Sequence, residues 1–329
     1  MLQRKYTLAL PINIVLCGDR NVLWGMAVTV RSALEQSTSP IAINIIGSGL
    51  LAVDIDALRG SWDHPNVHSI NFMELDYRNI KHFRSTKYLK SKVCYARYFI
   101  ENLFPNIERI IYLDTDLLVL ADLVELYKTD LGSNIVGVVL DISTRSNDGQ
   151  VEPCQKLGIE PRGYFNSGVM LIDMKAWKKE RIKEQLIDVS ITHFDRLDSQ
   201  DQSALNIVLQ GKALILDERW NTVQYETESS FTNGIVHLIG SVKPWHYDYK
   251  GLFQPLFFQT LDRTAYAGCR PAKALSFFAL RTAANRHMPT VDMVVGKLRR
   301  LFQLGRATKA AIRETALTPE QSDPPSPSQ

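Results

Sequence analysis

Two acidic side chains, Asp114 and Asp116, end an apolar run that continues beyond them: Ile-Glu-Arg-Ile-Ile-Tyr-Leu-Asp-Thr-Asp-Leu-Leu-Val-Leu, residues 107–120. Burying unpaired carboxylates is costly, and neighbouring ones repel. Such a pair either points into solvent from a strand end or is neutralised by a hard divalent cation, for which oxygen ligands suit Mg²⁺ or Mn²⁺. Short Asp-x-Asp strings are common, so spacing alone leaves both readings open. Two further stretches carry polar groups of the right kind. Asp19 and Asn21, in Cys17-Gly18-Asp19-Arg20-Asn21, offer an acceptor and an amide for a heterocycle or ribose, and serve equally well as a helix cap. His237-Leu238-Ile239-Gly240-Ser241-Val242-Lys243-Pro244-Trp245 places an imidazole ahead of a glycine and a lysine. Gly240 would let backbone approach a phosphate, Lys243 would neutralise it, and His237 could join Asp114 and Asp116 on a metal. An imidazole in the ligand set favours Mn²⁺ over an all-oxygen Mg²⁺ site.

Positioning these groups requires strands that end together. Apolar runs at Ile12–Cys17, Ile41–Ile46, Val67–Phe72, Ile107–Leu113 and Asn134–Leu140 read as strands. Between them, Val22–Glu35, Leu50–Arg59, Lys92–Phe104 and Asp122–Tyr127 read as helices. This alternation predicts an α/β fold with a doubly wound, mostly parallel sheet, whose carboxyl ends present ligand-binding residues. Residues 142–163 lack periodicity and read as a loop or lid. Strand Tyr164–Met174, helices Ala176–Asp188 and Asp201–Leu209, and short strands Ala213–Leu216 and Ile235–Leu238 follow. Gly47-Ser48-Gly49-Leu50-Leu51-Ala52 matches G-x-G-x-x-A, which would make the chain an NAD-dependent oxidoreductase. It follows the second strand rather than the first, and Asn71 and Phe72 stand where the ribose-binding acid belongs. A glycine-rich turn is the preferred reading.

At 329 residues, 45% hydrophobic and 22% charged, the chain can bury a sizeable core. Cys17, Cys94, Cys154 and Cys269 are widely spaced, which argues against a structural zinc or disulfide framework and fits a reducing, cytoplasmic compartment. Arg4 and Lys5 before the run Thr7–Leu16 faintly suggest a lipoprotein leader, but Pro11, Asn13 and the bulky Leu16 favour a first strand. The net charge of +3 hides an asymmetry: Thr264–Arg313 holds ten Lys/Arg against Asp292 alone. A nucleic-acid surface is not indicated. Basic residues from Lys273 to Lys309 alternate with Phe277, Phe278, Leu298, Leu301 and Phe302, a pattern that can dock on an anionic membrane from the inner face. The tail 314–329, rich in Pro and Ser, is expected to be disordered.

In chain order, Ile14–Asn21, Tyr95-Ala96-Arg97, Leu113-Asp114-Thr115-Asp116, Phe165-Asn166-Ser167-Gly168-Val169, Asp201-Gln202-Ser203-Ala204-Leu205-Asn206 and His237–Trp245 resemble glycosyltransferase family 8. These are retaining enzymes that include bacterial lipopolysaccharide galactosyl- and glucosyltransferases. The resemblance implies a GT-A fold over residues 1–250, followed by the basic helical segment 251–313 and the tail. It implies a UDP-sugar donor (UDP-Gal or UDP-Glc), a glycan or glycolipid acceptor, and Mn²⁺, or else Mg²⁺, on Asp114, Asp116 and His237. Asp19 and Asn21 then match positions at the uridine. Arg97 and Asp141 match the sugar or pyrophosphate end, Asn166 and Gln202 the donor sugar, and Gly240 and Lys243 the diphosphate. Thr115 lies within the donor-binding set. Gln202 is the matching residue beneath the anomeric carbon, with Asp201 beside it. Val22 stands where members commonly carry an aromatic that stacks on the uracil. The non-catalytic alternative, a nucleotide-sugar binding protein, would not need the full set Asp114, Asp116, His237 and Lys243.

Overall fold

The computed structural model describes residues 11–85, 91–145, 154, 156–160, 163–225, 227–228 and 230–272. The expected basic segment beyond residue 272 and the whole tail lie outside the described residues, as does half of the expected lid, 142–163. The strands are β1 Ile12–Asp19, β2 Ile41–Ser48, β3 Val67–Glu74, β4 Arg109–Leu113, β5 Leu117–Val119, β6 Val136–Leu140, β7 Phe165–Asp173, β8 Ala213–Ile215, β9 Thr222–Val223 and β10 Ile235–His237. Seven of them form one sheet in the order β3-β2-β1-β4-β7-β6-β8. Only β7 runs against its neighbours. The carboxyl ends of β1, β4 and β6 and the amino end of β7 therefore share one sheet edge, where Asp19, Asp114, Asp141 and Asn166 sit.

Side chains alternate along each strand, so both faces of the sheet are buried. Val15, Cys17, Ile110, Tyr112, Met170 and Ile172 enter the core on one face. Ile14, Leu16, Ile111, Leu113, Val169 and Leu171 enter the core on the other. Among the described residues, the helices of eight residues or more are α1 Leu23–Gln36, α2 Ala52–Ser61, α3 Ile182–Thr192, α4 Gln200–Val208 and α5 Gln254–Leu261. The first compact unit continues through Pro271, past α5.

The apolar run 107–120 is not one strand. It breaks at Asp114–Asp116, and β5 joins a second sheet in the order β5-β10-β9. Two buried hydroxyls on α1 explain the placement. Thr29 Oγ1 donates to Leu117 O (3.0 Å) and accepts from Leu117 N (3.1 Å), and Ser32 Oγ accepts from Val119 N (3.0 Å). Beneath this small sheet, Val28, Leu118, Val236, Leu238, Phe253 and Phe257 form a third cluster.

Two helices differ from expectation. The segment 92–104 is a 3-10 turn series, Val93–Phe99, followed by a short α turn, Ile100–Leu103. Three residues per turn align Tyr95 with Tyr98, and both rings pack on Phe83 at 4.5 and 5.8 Å. The helix expected over Ala176–Asp188 divides into Met174–Lys179 and α3, because Arg181 between them adopts φ 54°.

Candidate active site

Backbone pairing brings His237 to the carboxylates. β10 runs antiparallel to β5 with Leu117 opposite His237, and Leu238 N donates to Asp116 O (2.9 Å). The residue that follows the acid pair in sequence is thus the pairing partner of the histidine more than a hundred positions away. Nε2 of His237 lies 3.3 Å from Asp116 Oδ1 and 3.9 Å from Asp114 Oδ2. One ligand atom from each of the three residues falls within 4.8 Å of the others. Two carboxylate oxygens and an imidazole nitrogen, converging from two sheets, fit a divalent cation by donor type as well as by spacing.

The remaining atoms of these ligands are held from outside. Asp114 Oδ1 accepts from Arg97 Nη2 (2.8 Å) and from Tyr112 OH (2.9 Å), which leaves Oδ2 toward His237. Asp116 Oδ2 accepts from Lys243 Nζ, which also donates to Leu238 O (3.1 Å). Burial opposes the charge on Asp116, but Lys243 and His237 outweigh it and hold that carboxyl well below the usual carboxylate range. Gly240, at φ +107°, makes the turn between His237 and Lys243 in a conformation that favours glycine.

Arg97 is only 4% exposed. Its Nε donates to Cys94 O (3.2 Å) and its Nη1 to Ser167 O (2.9 Å), its ion-pair partners are Asp114 and Asp201, and its face covers Tyr112 at 4.2 Å. Burial would discharge the guanidinium, but the carboxylates of Asp201 and Asp114 outweigh it and keep Arg97 charged. Asp201 is buried behind this arginine, 2.9 Å from Nε in an ion-pair contact whose angle is not that of a hydrogen bond. Burial pushes its carboxyl above the ordinary value despite Arg97.

Opposite the charged group stands a wall of amides. Gln202 Nε2 donates to Asp141 Oδ2 (3.1 Å) and its Oε1 accepts from Ser167 N (3.1 Å). Asn166 Nδ2 donates to the same Asp141 oxygen (3.3 Å). Asn206, one helical turn beyond Gln202, brackets Phe165: Oδ1 accepts from its N–H (2.8 Å) and Nδ2 donates to its carbonyl (2.9 Å). The register between β6 and β7 shifts between Val138 and Val139, which pair with Met170 and Asn166, so Ser167-Gly168-Val169 bulges toward β4. Bulges re-aim groups beside active sites. This one hands the Ser167 carbonyl to Arg97 and the Gly168 carbonyl to Asp114 N (2.8 Å). Gly168 also admits the histidine, since a Cβ there would fall 2.7 Å from His237 Nδ1.

Asp19 and Asn21 lie at the open end of β1. Asp19 Oδ1 caps the turn by accepting from Asn21 N (2.9 Å), and Oδ2 accepts from Ser91 Oγ (3.1 Å). Val22 precedes α1 and packs partly into the core. Thr115 is half-buried between the two carboxylates, with its carbonyl over Gly25 of α1. Trp220 is buried under Arg219, and Trp245 packs on Phe257, so both act as packing residues. Asn221 was missed by sequence reasoning: its Oδ1 lies 2.9 Å from His237 Nδ1 and its Nδ2 donates to Asn166 Oδ1 (2.9 Å). Nothing in Arg219-Trp220-Asn221-Thr222 marks it, because its partners are distant in sequence.

The profile of glycosyl transferase family 8 matches residues 13–249. The chain belongs to that family. It is a glycosyltransferase. General stress protein A of Bacillus subtilis is 29% identical over 279 residues, covering 78% of this chain and 94% of that protein. The lipopolysaccharide 1,3-galactosyltransferase of Salmonella typhimurium is 26% identical over 295 residues, covering 84% and 85%. The crystal structure of the galactosyltransferase LgtC with donor and acceptor sugar analogs superposes with TM-score 0.68 at 24% identity, covering 77% of this chain and 96% of that one. The shared fold is GT-A. The oxidoreductase alternative loses its footing in the glycosyltransferase as well as by family. At Gly47–Ala52, Gly49 N donates to Glu74 Oε1 (3.0 Å) and Leu51 N to Asp54 Oδ2 (2.9 Å), so carboxylates of the chain take amides a pyrophosphate would need.

Proposed function

We propose that this glycosyltransferase is a retaining α-hexosyltransferase that moves galactose or glucose from a UDP-sugar to a glycan or glycolipid hydroxyl, with Mn²⁺ as its cation and Mg²⁺ as a substitute. The observation that carries the reading is the convergence of Asp114, Asp116 and His237 beside Lys243, facing Asp141, Asn166 and Gln202 across one sheet edge. When bound, the cation neutralises diphosphate charge and acts as a Lewis acid on the leaving group. Lys243 exchanges Asp116 for a phosphate oxygen, Gly240 offers backbone at the same loop, and Asp19 and Asn21 hold the uridine. Arg97 and Thr115 shape the donor side through Asp114 and its turn. No helix among the described residues is long and apolar enough to cross a membrane.

Glycosyl transfer passes through an oxocarbenium-like state. Gln202, fixed by Asp141 and Ser167, would sit beneath the sugar as a neutral, weakly nucleophilic amide. Asp201 is turned away and paired with Arg97. Both favour a same-face, dissociative substitution in which the acceptor hydroxyl attacks where UDP leaves. A glycosylated Gln202 or Asp201 trapped in the native enzyme would overturn this mechanism. The names of relatives that build lipopolysaccharide support a role in cell-surface glycan synthesis, on the cytoplasmic side. There the basic segment 251–313 would hold the chain against anionic lipid, which failure to sediment with anionic vesicles at low salt would exclude. The central test is hydrolysis of UDP-Gal, UDP-Glc and UDP-GlcNAc with Mn²⁺. Turnover of one of them is expected, lost with chelator and reduced at least ~100-fold in Asp116→Ala, beyond the usual cost of losing a group that only supports a ligand. Absence of Mn²⁺-dependent turnover with every donor sinks the reading.

A further inference from the structure

A buried backbone amide dictates how His237 faces the two aspartates. Gly168 N donates to Asn166 Oδ1 (2.9 Å), and an N–H can only donate, so that atom of Asn166 is the oxygen. The other end of Asn166 then presents its NH₂ to Asp141 Oδ2, which as a carboxylate oxygen accepts. The oxygen of Asn166 also receives a hydrogen from Asn221, which must therefore be its Nδ2. The remaining polar atom of Asn221, Oδ1, lies 2.9 Å from His237 Nδ1. An oxygen there requires the imidazole to carry a proton on Nδ1, and the lone pair available to a cation is on Nε2, the atom that faces Asp114 and Asp116.

Asn221 is 1% exposed and His237 is 4% exposed. A second acceptor for Nδ1–H would have to come from the protein. Gly168 lies against that edge of the ring and brings no side chain. We infer that Asn221 is a positioning residue, which sets the ring orientation and protonated nitrogen of His237 and links that ring to the amides of the sugar side through Asn166. The inference rests on the reading of Asp114, Asp116 and His237 as a cation site.

Its test is direct titration of the full chain with Mn²⁺, read by the signal of the free ion, together with the imidazole Nδ1–H resonance of the Mg²⁺-loaded protein. Asn221→Ala and the isosteric Asn221→Leu should both weaken Mn²⁺ binding by about 10–100-fold, the range for groups that orient a ligand from behind. Both should also speed exchange of the Nδ1 proton until its resonance is lost. Asn221→Asp keeps an acceptor toward Nδ1 but not the donor to Asn166, and should restore Mn²⁺ affinity and the resonance. Wild-type affinity with a retained resonance in either apolar variant overturns the inference, as does an Asn221→Asp chain that binds no better than Asn221→Leu. A wild-type chain that takes up no Mn²⁺ overturns the cation reading itself, and the two failures are thereby told apart.

Discussion

The two sides of the cleft are built from different chemistry. On the β4–β10 side stand charges: Asp114, Asp116, Lys243 and, behind them, Arg97 with Asp201. On the β6–β7 side stand neutral amides, Asn166, Gln202, Asn206 and Asn221, the first two donating to the carboxylate of Asp141 and the others to Phe165 and Asn166. Charges suit the place where a diphosphate departs, and they are costly to bury unless each has a partner. Neutral amides suit the place where a transient sugar cation must not be captured, and they cost little once their hydrogen bonds interlock. The charged side should therefore be fragile to the loss of one partner, and the amide side tolerant in stability but sensitive in turnover.

Arg97→Met is the largest break. It leaves Asp201 without its ion-pair partner in a buried site and removes one of two donors to Asp114 Oδ1. Stranding one member of a buried pair costs about 3–5 kcal/mol. Urea unfolding of the metal-free chain should show that loss. A loss below about 1 kcal/mol would mean that the guanidinium is not holding these charges, and the contrast between the two sides would fail.

Gln202→Ala should affect the opposite property. It strips Ser167 N of its acceptor and the Asp141 carboxylate of one donor, bonds whose loss costs about 1–3 kcal/mol. Turnover should fall roughly 100-fold, the scale of losing one preorganised polar group at a reacting centre, with little change in KM for the donor. Equal losses of stability in Gln202→Ala and Arg97→Met would erase the distinction.

The same contrast governs what could be seen in the sequence. Asp114 and Asp116 stand out because carboxylates interrupt an apolar run, and the sheet could be read from the alternation of strands and helices. The amides announce nothing locally. Gln202 meets Asp141 across 61 positions and Asn221 meets Asn166 across 55, so only the resemblance assigned the first and nothing assigned the second. β5 was hidden for a related reason. Three apolar residues after the acid pair look like a continuation of β4, and only the hydroxyls of Thr29 and Ser32 on α1 draw them into another sheet. The 3-10 winding of Val93–Phe99 likewise follows from the packing of Tyr95 and Tyr98 on Phe83, a contact that periodicity within the segment does not reveal.

The smallest effect separates two carboxylates of the charged side from each other. Asp116, held by Lys243 and His237, is depressed below the ordinary 3.8 in the folded chain. Its contribution to stability is present above that value and is lost as pH falls below about 4. Asp201 is raised, because burial outweighs Arg97. A carboxyl that binds its proton more readily when folded weighs against folding at neutral pH, and that handicap disappears as pH falls. The two therefore bend the acid limb of the stability curve in opposite directions. In chelator, Asp116→Asn should flatten the loss of stability on acidification, whereas Asp201→Asn should steepen it, because the relief that protonation of Asp201 gives is gone. Urea midpoints measured from pH 3 to 6 would resolve the two slopes. Variants that shift the limb in the same direction would show that Asp201 is held ionised by Arg97 as firmly as Asp116 is by Lys243, and that burial does not divide them.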